Sequence, residues 1–125
     1  MTRDEVIAKW NSMQPQERDI WVATAVMGYK ADRIRPGMII NGKGYSMSPA
    51  MYSIDISAAW EVIDKLSKTH FTEVAMTQLD DGSWGWMARF ILAEGEPYWV
   101  KGYRMTATTV QEAICLAALI AQGEE

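Results

Sequence analysis

The sequence predicts an α+β domain in which helices cover both faces of a small three-stranded antiparallel sheet. Two observations predict it. Apolar residues recur at helical spacing before residue 69 and after residue 108, whereas the residues between them alternate with the period of a strand. Three strands cannot bury their own apolar side chains, so we expect helices on both sides of the sheet. The expected order of elements is α-α-loop-α-β-β-β-α.

The length and composition predict one domain over residues 1–125. The chain has 125 residues, of which 49% are hydrophobic, and this is enough for a substantial core. The only cysteine, Cys115, cannot form an internal disulfide. No apolar run has the length of a signal peptide or a membrane span. We therefore expect a soluble, cytoplasmic protein without a membrane partner.

Residues 1–28 are predicted to form a helical hairpin. Thr2 and Glu5 fit a capping box at the start of the first helix, and Pro15 fits the first turn of the second. Gly28 is typical of the end of a helix. Apolar side chains fall on one face of the first helix: Val6, Ile7, Trp10 and Met13.

Residues 29–52 form an irregular segment in the prediction. Glycine and proline interrupt it repeatedly, and only residues 38–40 are expected to make a strand. Long irregular segments inside compact domains often carry function. The segment also has a local excess of cations, because Asp32 is the only acid among these basic residues: Lys30, Arg33, Arg35 and Lys43.

Residues 53–121 are predicted to form an α-β-β-β-α core. Ser53 is expected to be the N-cap of the third helix, with Asp55 in its first turn. The apolar stripe of this helix consists of Ala59, Val62, Ile63 and Leu66, and we expect Trp60 to extend it. A second capping box at residues 109–112 begins a strongly apolar final helix.

The three strands are expected near residues 70–79, 84–92 and 98–105, joined by turns at 80–83 and 94–97. Trp84, Trp86 and Phe90 are predicted to lie in the core beneath the helices. Trp99 and Tyr103, with Lys101, could instead form an exposed partner surface on the opposite face, and the sequence leaves this open.

Three sequence blocks stand in order along the chain: WVATAVMGY at residues 21–29, YSIDISAAWEVI at 52–63 and EAICLAAL at 112–119. Together they resemble the phage ABA sandwich domain family over residues 15–121. Tyr29 departs from the tryptophan that the family often has after its first glycine. The resemblance implies helices around a small sheet and a gene of a bacteriophage or prophage of Gram-positive bacteria, and hence the host bacterial cytoplasm. It implies no chemistry.

The residue types argue against catalysis and metal binding. His70 is the only histidine, and a nucleophilic Cys115 would need it as a base although the two lie on distant elements. One cysteine and one histidine do not make a zinc site. The net charge of −4 and the absence of cations at residues 108–112 argue against nucleic-acid binding. We therefore predict no catalytic residue, no metal and no cofactor.

The irregular segment holds the candidate ligand site. Cations and tyrosines beside the N-terminus of a helix are typical of a pocket for a phosphate or nucleotide. The alternative is that these are solvated loop charges and packing tyrosines. The residues proposed for the site are Arg33, Arg35, Lys43, Tyr45, Tyr52, Ser53 and Asp55.

The leading hypothesis is a phage accessory protein that is not an enzyme and acts by binding. One alternative is a sponge that sequesters a nucleotide-like signalling molecule of a host anti-phage defence system. The other is a protein–protein inhibitor of a host factor. The expected partners are thus a nucleotide-like small molecule or a host protein, and we expect a homo-oligomer.

Overall fold

A computed structural model describes residues 1–93 and 100–123, without the side chains at 93, 100 and 101. The predicted turn at 94–97, Trp99 and the Lys101 side chain lie outside the described parts. The elements in chain order are α1 (Arg3–Ser12), α2 (Pro15–Ala25), β1 (Lys30–Ala31), β2 (Ile39–Ile40), β3 (Ser46–Met47), α3 (Ile56–Leu66), β4 (Phe71–Gln78), β5 (Trp84–Ala93), β6 (Val100–Ala107) and α4 (Val110–Gly123).

The two predicted N-terminal helices form as α1 and α2. The Thr2 hydroxyl accepts a hydrogen bond from the Glu5 backbone N–H, and the Glu5 carboxylate accepts one from the Thr2 N–H, which completes the capping box. Pro15 occupies the first turn of α2. The apolar face of α1 buries Val6 and Trp10, so this helix is anchored by its largest side chain.

Residues 29–52 contain more structure than the sequence predicts. Three two-residue strands form a second antiparallel sheet in the order β1-β2-β3. Ile39 of β2 is buried, and α2 contacts both β1 and β2. Strands this short show no period of two, which is why only residues 38–40 could be predicted. The first part of the segment therefore folds against α2.

The start of α3 differs from the prediction. Asp55, not Ser53, is the N-cap, and its carboxylate accepts the Ser57 N–H at 2.9 Å. The stripe of Ala59, Val62, Ile63 and Leu66 is buried as expected. The prediction that Trp60 extends this stripe is wrong. Trp60 follows Ala59 in the helix and is turned by about 100° from it, and its side chain is 53% exposed.

Strands β4, β5 and β6 form the predicted antiparallel meander. Phe90 pairs with Tyr103, and residues directly opposite each other share a face, so Tyr103 is buried beside Phe90 and does not lie on an exposed surface. Trp86 packs partly against the core. The expectation that Trp84 is a core residue is wrong: it is the first residue of β5, and its side chain is 69% exposed.

Helix α4 is the centre of the molecule. Every residue from Ala113 to Ile120 is buried, as expected for a helix that is apolar all round. It packs on β5 and β6, and it also contacts α1, α2 and α3. The α+β class, the element order and the meander of the prediction are confirmed.

The helical cover is distributed differently from the expectation. One face of the large sheet meets α4, while exposed residues lie on the other: Phe71, Glu73, Ala75 and Arg104. An ion pair of 2.6 Å between Arg89 and Glu73 lies on this open face. A face that carries charges has less need of a covering helix. Within residues 1–93 and 100–123, no helix combines the length and the apolar character needed to cross a membrane.

Candidate functional site

The cations proposed as ligand residues lie on exposed turns of the small sheet. Arg33 and Arg35 lie between β1 and β2, and Lys43 and Tyr45 lie between β2 and β3. Tyr52 is buried, and this burial raises the pKa of its phenol to about 12. Its hydroxyl therefore belongs to the core and not to an open pocket.

Ser53 is held by a partner that the sequence reasoning missed. Asp19 of α2 is only 4% exposed, and its Oδ1 accepts hydrogen bonds from the Ser53 N–H at 2.9 Å and from the Ser53 hydroxyl at 2.7 Å. Asp19 is buried together with Val22 and Ala23, at helical spacing. The sequence does contain a signal for this contact: Asp19 stands at an apolar position of the helix, and a buried carboxylate needs a hydrogen-bond donor nearby.

Two open grooves flank β1. One has a volume of about 530 Å³ and the other about 720 Å³, and Tyr29, Lys30 and Ile40 line both. Arg33 lines the larger groove, whereas Gly42 and other glycines border the smaller one. Neither groove is lined by the other residues proposed for the site. The two cations that lie together at the larger groove are thus Lys30 and Arg33, beside Tyr29.

Asp32 lines the larger groove together with Lys30 and Arg33, and it shapes the turn there. Its carboxylate accepts hydrogen bonds from the backbone N–H groups of Ile34 at 2.9 Å and Arg35 at 3.3 Å. In the described parts of the chain the only ion pair joins Arg89 to Glu73, so Lys30 and Arg33 have no carboxylate partner there. Their charges are available to an anion at this end of the molecule.

A second candidate surface surrounds the start of α3. Four large apolar side chains are exposed there, and together they are called the α3 apolar surface: Met51, Ile54, Ile56 and Trp60. The backbone beneath them is fixed, because the Ile54 carbonyl accepts a hydrogen bond of 2.7 Å from the Gln111 side chain. Ile56 and Trp60 lie one turn apart on the same face of the helix.

Cys115 and His70, the cysteine and histidine of the sequence, contact different partners. The Cys115 thiol donates to the Tyr52 carbonyl at 3.3 Å, and burial raises the pKa of this thiol far above its usual range. The His70 Nδ1 lies 2.8 Å from the Thr69 hydroxyl, and the His70 ring packs edge-on against Phe90 and Tyr103. Over the described residues, no three metal-ligating side chains form a cluster that could hold an ion.

Comparison with known proteins decides the family. The sequence model of the phage ABA sandwich domain matches residues 20–119, which is most of the chain. The chain belongs to the phage ABA sandwich domain family. This phage ABA sandwich domain is also similar to a phage protein from Bacillus cereus ATCC 14579, whose crystal structure was determined at 2.0 Å. The TM-score is 0.65, the identity is 28%, and the match covers 87% of each chain. No match was found among curated proteins.

The burial of Cys115 gives a prediction for this phage ABA sandwich domain. A thiol reagent such as Ellman's reagent attacks the thiolate, and a raised pKa leaves very little thiolate near pH 8. We expect labelling of the folded domain to be at least about 100-fold slower than labelling in denaturant. Absorbance of the released chromophore measures both rates. Rapid labelling without denaturant would show that the thiol is accessible.

Proposed function

We propose that this protein is a phage accessory protein that binds a host protein through the α3 apolar surface. The observation that carries the proposal is the half exposure of Trp60 together with Ile54 and Ile56, three large apolar side chains within one short segment at the start of α3. Clustered exposed apolar side chains mark interaction sites more often than chance, and tryptophan is enriched in binding hot spots.

The charges around this surface define the partner. Asp55 at the N-cap of α3 and Glu61 and Asp64 within the helix are exposed, against one exposed cation of the helix, Lys65. The chain as a whole carries a net charge of −4. A complementary partner offers an apolar pocket for the indole with lysine or arginine around it. This supports inhibition of a host factor with a basic surface.

The surface is also preorganised. Asp55 caps α3, Gln111 holds the Ile54 carbonyl and Asp19 holds Ser53. Ordering flexible side chains or loops reduces affinity, so a fixed backbone favours binding. The same three contacts explain why polar residues interrupt this apolar stretch.

The test compares two exposed tryptophans. Trp60→Ala is expected to weaken binding of a captured host protein at least about 10-fold, whereas Trp84→Ala on the sheet is the matched control and is expected to leave binding unchanged. Proteins retained from host lysate by the wild-type chain are purified, and the Kd of each variant is measured by calorimetry. Binding that is equally strong with Trp60→Ala would overturn the proposal.

A second candidate function is the sequestration of a nucleotide-like molecule at the grooves beside β1. The observation in its favour is that Tyr29, Lys30 and Arg33 line one groove, in which these two cations outnumber the one acid, Asp32. A ligand at 100 times its Kd would stabilise the fold by about 2.7 kcal/mol. We expect a bound nucleotide to raise the Tm, and Lys30→Ala or Arg33→Ala to remove this rise.

Arg35 provides the control for this experiment. It is exposed on the same turn but lines neither groove, so Arg35→Ala should keep the shift in Tm. A panel of mono-, di- and cyclic nucleotides that leaves the Tm of the wild-type chain unchanged would exclude this function. An equal loss in all three variants would indicate non-specific attraction between charges.

A further inference from the structure

We propose that two copies of this chain pair through the free edge of β4, in antiparallel orientation, and so join their large sheets into one. This interface is separate from the α3 apolar surface and does not depend on the function proposed above. The partner is a second copy of the chain, and its recognition uses backbone hydrogen bonds together with the side chains of residues 72–78.

The first argument is the condition of the edge. In the order β4-β5-β6, strand β4 has β5 as its only strand neighbour among the described residues. The ladder between them runs without a bulge from the pair Phe71 and Ile91 to the pair Gln78 and Trp84. Every second residue of β4 therefore directs its backbone N–H and C=O away from the sheet, where they form a template for another strand.

The second argument is the lack of protection on this edge. Natural edge strands usually carry lysine, proline or a bulge that prevents pairing. The only charged residue of β4 is Glu73, which is bound by Arg89 at 2.6 Å. Phe71 is 72% exposed and Met76 is 60% exposed. This strand thus exposes two large apolar side chains, and its single charge is already paired with Arg89.

The opposite edge of the sheet differs. Arg3 of α1 donates a hydrogen bond to the backbone carbonyl of Arg104 in β6, so one acceptor of that edge is already used. The exposed guanidinium of Arg104 adds a positive charge to β6. Like charges would meet if two copies of β6 approached each other, which favours β4 as the pairing edge.

Symmetry restricts the register. A two-fold axis perpendicular to the sheet makes the strands antiparallel and keeps both α4 helices on the same side. Opposed residues must then share a face, so even-numbered residues meet even-numbered ones and odd meet odd. The outward-directed backbone groups of β4 belong to every second residue, so they are all on even-numbered or all on odd-numbered residues. A register that pairs even with even and odd with odd therefore also brings the N–H and C=O groups of the two copies opposite each other.

Side chains select among these registers. With Ala75 on the axis, Val74 lies opposite Met76 of the second copy, and Glu73 lies opposite Thr77. The exposed Met76 side chain then gains an apolar neighbour on the inner face. No like charges face each other, in contrast to a register centred on Glu73.

The experiment places charges on the axis. Ala75 is exposed in the single chain, so Ala75→Glu and Ala75→Lys should leave the fold intact. Each would bring two like charges directly opposite each other in the pair. We expect the dimer Kd to rise at least about 10-fold in either variant, and more in Ala75→Glu because Glu73 lies diagonally across. Sedimentation equilibrium over a concentration series measures these constants.

Mixing the two variants gives the decisive result. Opposite charges then face each other across the axis, so the mixture should recover the affinity of the wild-type dimer, and high salt should weaken this recovery. Ala25→Lys is the matched control: Ala25 is an exposed alanine at the end of α2, and its replacement should not change the dimer Kd.

Three outcomes would overturn the proposal. The wild-type chain could remain monomeric at every concentration. Both charge variants could remain dimeric with unchanged affinity, which would place the interface elsewhere. Ala75→Lys alone could associate more tightly than the wild type, which would bring Ala75 opposite Glu73 and contradict the stated register.

Discussion

Replacement of Trp10 by alanine is expected to lower the free energy of unfolding by about 3–5 kcal/mol, the usual cost of removing a large aromatic side chain from a core. Trp10 is the largest of the fully buried side chains. Its indole also packs against Trp21, with ring centroids 6.5 Å apart, and the Arg18 guanidinium lies 4.9 Å from its ring. Urea unfolding followed by circular dichroism measures the change.

The indole nitrogen of Trp10 joins two helices. Its N–H donates to the Glu112 carboxylate of α4 at 3.2 Å. Trp10→Phe removes this hydrogen bond but keeps most of the apolar volume, so we expect a smaller loss of about 1–3 kcal/mol. Trp84→Ala is the exposed control and should change stability by less than about 1 kcal/mol. A loss below about 1 kcal/mol for Trp10→Ala would show that α1 is not part of the folded core.

The helices could be predicted because their burial follows a periodic pattern. The apolar residues of α3 that face α4 recur at helical spacing, and α4 is apolar on every side. The strands β4 and β5 could be predicted because a strong turn signal separates them and β5 alternates apolar and other residues. In each case the local sequence determines the environment of the element.

The tryptophans show where local patterns fail. Trp60 and Trp84 have the large apolar side chains typical of core residues, but both are exposed. Whether such a side chain is buried depends on how far a neighbouring element extends over it. Trp60 lies beside the stripe that faces α4, and Trp84 is the first residue of its strand. Neither position can be read from hydrophobicity alone, since large apolar side chains are suited both to cores and to interfaces.

The candidate site could be predicted only in part. The local excess of cations predicts Arg33 as a site residue, and in the structure Arg33 lines a groove. Lys30 and Tyr29 join it through pairing between two-residue strands, which leaves no signature in the sequence. Serine is a common N-cap residue, but the Ser53 hydroxyl donates a hydrogen bond to the carboxylate of Asp19, 34 positions earlier in the chain. Long-range polar contacts of this kind depend on the tertiary fold.

Replacement of Asp19 by alanine is expected to lower the free energy of unfolding by about 2–3 kcal/mol. The Asp19 carboxylate is buried, and it accepts both the N–H and the hydroxyl of Ser53. Alanine would leave these two donors without a partner, and hydrogen bonds to charged groups are worth about 1.5–3 kcal/mol. Asp19→Asn keeps one carbonyl acceptor of similar shape, so its loss should be about half as large.

A double-mutant cycle tests whether this contact is the cause. Ser53→Ala removes the hydroxyl donor, so in the Asp19→Ala background it should cost less than in the wild-type chain, with a coupling of about 0.5–2 kcal/mol. Additive losses would show that Asp19 acts through other neighbours. The contact joins α2 to the turn that precedes Ile54 and Ile56, so Asp19→Ala should also weaken host-protein binding while the domain is still folded. Asp19→Asn should retain that binding, because it keeps the turn in place.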